Sequence, residues 1–116
     1  MKINEKQVYC TFQDAPQHTF PGHPESPHRL HLIREWLTVP PYPEMVWLDF
    51  QPAPEADALL VHSKAMLESI KAACRRGPHE FEPSPSYVTE SSCQAALGAI
   101  GATLTVSRRI LAEGHG

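Results

Sequence analysis

The stretch FPGHPESPHRL, residues 20 to 30, sets three prolines, two histidines, a glutamate and an arginine within eleven positions. Imidazole and carboxylate groups on a stiff loop are the equipment of a metal site or of general acid–base chemistry. His18 and His23 lie on this loop, with Glu25 beside them, where a ligand or a general base can sit. His28 and His31 stand three apart on one helix and can face one ion. HRLHL nevertheless lacks the stronger signature, two histidines four apart with a glutamate base. No other carboxylate falls at ligand spacing nearby, so no metal site is expected in this chain. His62 ends the apolar run ALLVH and reads as a residue orienting a connection between two helices. Neither a G-x-S-x-G nucleophile elbow nor a glycine-rich phosphate loop occurs. Catalysis by these residues alone is not expected.

The rest of the composition narrows the class. With 116 residues, 41% hydrophobic and 20% charged, the chain is one domain's worth and suits a soluble globular protein. Its formal charge of −3 provides no broad basic field, so nucleic acid is not an expected partner. No apolar run is expected to approach a membrane span of about 20 residues. The polar opening MKINEKQ is not a signal peptide, and a cytoplasmic location is expected. Cys10, Cys74 and Cys93 are far apart and form no C-x-x-C pair, so neither a zinc knuckle nor a disulfide framework is indicated. Reduced, mostly buried thiols are expected.

The elements that must position the loop can be read from pattern. QVYCTF, residues 7 to 12, alternates as a strand, and MVWLDF, residues 45 to 50, is a second short one. Ser26 before Pro27 is a helix start, a hydroxyl cap followed by a proline whose missing N–H costs nothing. Leu30, Ile33, Trp36 and Leu37 give that helix an apolar face ending at about Leu37. A short helix follows Pro54, with Ala56, Leu59 and Leu60 inward. Ser63 caps a third, which presents Met66, Leu67, Ile70 and Cys74 and stops at Gly77. PHEFEPSPSYV reads as a proline-punctuated loop. The longest helix runs from about Glu90 to Ala112, with Thr89 as its candidate cap. Gly98 and Gly101 inside AALGAIGA each cost about 1 kcal/mol against alanine, which favours another backbone packing closely there.

Three motifs in this order resemble the zinc-dependent histone deacetylase superfamily, which includes the acetylpolyamine amidohydrolases. PGHPESPHRLHLIREWL is similar to its G-H-P-E-x-P-x-R-L loop and helix, here Gly22, His23, Pro24, Glu25, Pro27, Arg29 and Leu30. PAPEADALLVHSKAMLESI resembles the family's P-A-x-x-x-x-L-x-x-V-H-x-x-x-Y-L-x-x-I segment, with Met66 in place of tyrosine. SYVTESSCQAALGAIGATLTV is similar to its stretch ending A-A-L-x-A-A-G-A. The resemblance implies an α/β, predominantly helical fold of three to four helices with two short strands, the N-terminal part of the arginase/deacetylase fold, as a single domain over 1–116.

The same resemblance implies that chemistry lies elsewhere. The family's tandem histidines, D-x-H and zinc-binding aspartate come later in sequence, and none of those motifs occurs here. Its rim aspartate aligns with Pro85, between Ser84 and Ser86. Zinc serves the parent family, and no cofactor is expected here. His23, Pro24 and Glu25 would border the mouth admitting acyl-lysine or acyl-polyamine, and Arg29 would fix that loop, while His18 and His62 are weaker alternatives. Strand and helix faces left without neighbours make a homodimer or higher oligomer the expected state. The functions implied are an oligomeric scaffold or relic without activity alone, a small-ligand or interaction module, or one half of a split amidohydrolase completed by another chain.

Overall fold

The computed structural model describes residues 7–39, 45–81 and 86–113. They form β1 (Val8–Cys10), α1 (Pro27–Thr38), β2 (Met45–Trp47), α2 (Glu55–Ala58), α3 (Lys64–Arg75), β3 (His79–Phe81), β4 (Ser86–Val88) and α4 (Ser92–Ala112). β1 runs parallel to β2, with Val8 opposite Met45 and Cys10 opposite Trp47. Parallel strands need a crossover, and here the proline–histidine loop and α1 are that crossover. The helix-rich α/β class expected from sequence is therefore present. An antiparallel pair, β3 with β4, adds two strands inside the stretch read as a loop. Pro83 and Pro85 in that stretch hide its β-prone ends from a pattern search. Gly77, with φ +83°, ends α3 in the left-handed conformation that glycine adopts at least cost.

The small-residue face of α4 receives the chain that follows β2. A Cβ on Gly101 would stand 1.9 Å from the Gln51 carbonyl oxygen, and one on Gly98 would stand 2.1 Å from Gln13 Nε2. The Ala53 N–H donates to the Leu97 carbonyl at 2.9 Å across this contact. Close backbone packing at AALGAIGA thus holds. A second cluster joins α3, β4 and α4 through Ala73, Cys74 and Val88, flanked by Ile70 and Cys93.

Four local expectations differ from what is seen. Ser26 caps α1 by backbone conformation only, its hydroxyl making no cap bond, whereas the Ser63 hydroxyl accepts from the Met66 N–H at 3.1 Å. On α2 it is Ala58 that is buried. Ala56, Leu59 and Leu60 face outward, Leu60 being 81% exposed, because a one-turn helix resting on α4 has room for one small inward residue. The cap position of α4 is Ser91, not Thr89, although Ser92 N–H donates to the Thr89 carbonyl just before it. Finally, α4 is long and apolar enough to cross a membrane by length and composition alone, against the expectation that no apolar run approaches such a span. Its glycine face packs against Gln13, Gln51 and Ala53.

The apolar face of α1 is present but uncovered: Leu30, Ile33 and Trp36 are exposed, Trp36 at 73%. The radius of gyration is 16.7 Å, against about 13 Å for a compact chain of this length. Buried apolar residues are mostly small, among them Ala53, Ala58, Ala73 and Ala102. Such a core is thin for the surface it leaves open.

Candidate functional site

The proline–histidine loop has a defined internal structure. Gly22 takes φ +74°, a left-handed turn that a side chain would strain. The His23 N–H donates to the Phe20 carbonyl at 3.0 Å, and the His18 N–H donates to Ala15 at 3.1 Å. Glu25 N–H donates to His23 Nδ1 at 3.1 Å, so Nδ1 is an acceptor and His23 carries its proton on Nε2. Arg29 Nη2 stands 3.8 Å from Glu25 Oε1 with both side chains more than half exposed, a loose tether worth little in water. Pro24 is exposed beside them.

What holds this loop on the rest of the chain is Tyr87 of β4. Its hydroxyl shares one proton between the carbonyls of His18, at 3.1 Å, and Glu25, at 3.0 Å. Its ring is 8% exposed and is surrounded by three loop side chains. His18 stacks on it at 4.9 Å, Phe20 lies at 5.5 Å, and His23 meets it edge-on at 4.7 Å. Burial, then the charge of Glu25, pushes the phenol pKa above its ordinary 10.0, while Arg29 opposes them. The phenol therefore stays a donor across the physiological range.

A second tether runs to the start of α4. His18 Nδ1 and Ser92 Oγ are 2.8 Å apart, and Ser92 Oγ also accepts from the Thr89 N–H at 2.8 Å. A hydroxyl bonded to an imidazole is half of a nucleophile–base arrangement. Among the described residues no carboxylate bonds to His18 to orient it, and Ser92 is occupied in closing the first turn of α4. The pair works as a strut. His18, Glu25, Arg29, Ser92 and Gln13 line a cavity of about 380 Å³ beside it.

The structure thus brings His18, His23 and Glu25 around one tyrosine and leaves His62 apart, on the wall of a different cavity between α2, α3 and α4. The His62 N–H closes the α2 turn on the Ala58 carbonyl at 3.0 Å. His31 lies 3.3 Å from Asp14 and edge-on to Phe12, so it fastens α1 to the chain after β1. Pro85 and Ser84, aligned with a rim aspartate, fall outside the described residues. Tyr87, Thr89 and Ser92 were not singled out as site residues from sequence. Contacts across 62 and 74 positions reveal Tyr87 and Ser92, and Thr89 enters through its local bonds to Ser92.

A zinc ion does not fit these donors. No three of His, Cys, Asp and Glu converge among the described residues, and the Nδ1 atoms of His18 and His23 both already have hydrogen-bond partners.

No curated protein and no solved structure matches the chain. The family model for the histone deacetylase domain matches residues 23–116, from His23 of the proline–histidine loop through α4. That match takes in far more than half of the 116 residues, and the chain belongs to the histone deacetylase family.

Proposed function

We propose that this chain furnishes the substrate mouth of a zinc-dependent deacylase site and hydrolyses no amide by itself. The observation that carries the reading is the Tyr87 clamp. A loop with three prolines is bonded at two carbonyls and ringed by three aromatic contacts, which pre-forms a rim without supplying a nucleophile or ligands. Zinc in this family supplies an activated water, and the ligands for it would come from a segment other than residues 1–116. His23, Pro24 and Glu25 would then contact the acyl-lysine or acyl-polyamine chain on its way in, with Arg29 steadying Glu25. A complementary segment would also cover the open face of α1, which the thin core and large radius support.

A second reading, a homodimeric scaffold, draws on the same exposed Leu32, Ile33 and Trp36. The two separate on mixing. The chain is combined with a deacetylase-family segment bearing the tandem histidines and zinc ligands, and acetyl-lysine hydrolysis is followed with zinc present. Turnover that appears only in the mixture, and falls when His23 or Glu25 becomes alanine, supports the mouth. A catalytic segment equally active without this chain would overturn it. A tight homodimer that ignores the segment would favour the scaffold.

A further inference from the structure

Cys74 of α3 and Cys93 of α4 place their sulfurs 2.9 Å apart. A covalent S–S bond spans about 2.05 Å, so closure needs under about 1 Å of side-chain movement. Cys74 is 5% exposed, within the cluster that joins α3 to α4. Cys93 is half-buried and lines the cavity of about 210 Å³ between α2, α3 and α4, together with Glu55, His62, Met66 and Lys71. One thiol is therefore reachable by a small molecule, and the other waits behind it. Nothing in the proposed mouth uses either residue.

We propose that Cys74 and Cys93 form a peroxide-oxidisable dithiol, a modification site that converts the α3–α4 contact into a covalent staple. The Cys93 thiolate attacks one oxygen of hydrogen peroxide. The O–O bond breaks, an S–O bond forms, and the departing hydroxide takes a proton to become water. Cys74 sulfur then attacks the Cys93 sulfenic acid, the S–S bond forms, the S–O bond breaks, and a second water leaves with the Cys74 proton. Two thiols lose two electrons and two protons, and peroxide is reduced to two waters. The closed loop contains β3 and β4, so the staple also braces the strand that carries Tyr87.

Burial and the Cys74 thiol raise the Cys93 pKa to about 11, with Glu55 adding to the rise and Lys71 opposing it. The thiolate fraction at pH 7 is then on the order of 10⁻⁴, which makes the site slow at neutrality and faster by roughly tenfold per pH unit above it. Size matters too: peroxide enters a cavity of this volume more readily than a glutathione-sized disulfide.

The test treats the intact 116-residue chain with hydrogen peroxide at two pH values, alkylates remaining thiols after unfolding, and maps the peptides. The expected product is a Cys74–Cys93 cross-link with Cys10 alkylated, formed faster at the higher pH. In a Cys10→Ser variant, oxidation should raise Tm by about 10 °C, from a loop of this length. The same treatment in urea should lose the pairing preference. Sulfinic acid on Cys93 with Cys74 still alkylatable would overturn the proposal, as would cross-links shared equally with Cys10 in the folded chain.

Discussion

The Tyr87 hydroxyl lies 3.0 Å from the Glu25 carbonyl oxygen, joining β4 to a loop 62 residues earlier in the chain. Tyr87→Phe keeps the ring contacts and removes only the proton shared by two carbonyls. Leaving part-buried acceptors unsatisfied costs about 1–3 kcal/mol. The expected outcome is a lower Tm, with faster hydrogen exchange at the amides of His18, His23 and Glu25. Unchanged exchange there would remove Tyr87 from its role as the clamp.

The two inner glycines of α4 separate a backbone contact from a side-chain one. Gly101→Ala drives a Cβ into the Gln51 carbonyl, which belongs to backbone and cannot rotate away. A loss of at least about 2–3 kcal/mol is expected, since overpacking against fixed atoms forces the chain following β2 off α4. Gly98→Ala meets the amide end of Gln13, which can swing aside at the cost of its 2.7 Å bond to the Ala95 carbonyl. The alanine recovers about 1 kcal/mol of helix propensity, so the net change should lie within about 1 kcal/mol of zero. Denaturant unfolding of the two variants measures the order.

Ser63 and Ser26 look alike in sequence and should behave differently. Ser63→Ala removes the hydroxyl that accepts from the Met66 N–H and should cost about 1 kcal/mol. Ser26→Ala removes no cap bond and should be near neutral. Equal losses in urea titrations would contradict the assignment.

Much of this architecture is legible in residue types. Pro27, Gly77 and the small face of α4 mark helix ends and a close contact by local rules, and these rules hold because steric limits act within a few residues. The β3–β4 pair escaped because strands of three residues carry too little period beside Pro83 and Pro85. Burial on α2 went to Ala58 because tertiary contact with α4, not periodicity, chose the face. The candidate site divides in the same way. His23 and Glu25 announce themselves by motif, whereas Tyr87 and Ser92 matter through contacts no spacing encodes.

Alkaline pH provides an independent check on the α3–α4 contact. The folded Cys93 thiol holds its proton to about pH 11, whereas the ordinary value is 9.0. Between those values the unfolded chain has released a proton that the folded chain retains, so stability falls as pH rises through 9 to 11. Below pH 9 both states are protonated and Cys93 contributes no slope. Urea midpoints across this window should decline less in Cys93→Ser than in the parent chain, and equal declines would argue against the burial described.

The most direct measurement is acetate release from an acetyl-lysine peptide by the purified 116-residue chain supplied with zinc. A chain that forms a mouth and contains no metal centre should release acetate no faster than zinc in buffer, with or without a chelator. Zinc-dependent release that a chelator abolishes and His23→Ala diminishes would contradict that division of labour and place a working centre within these residues.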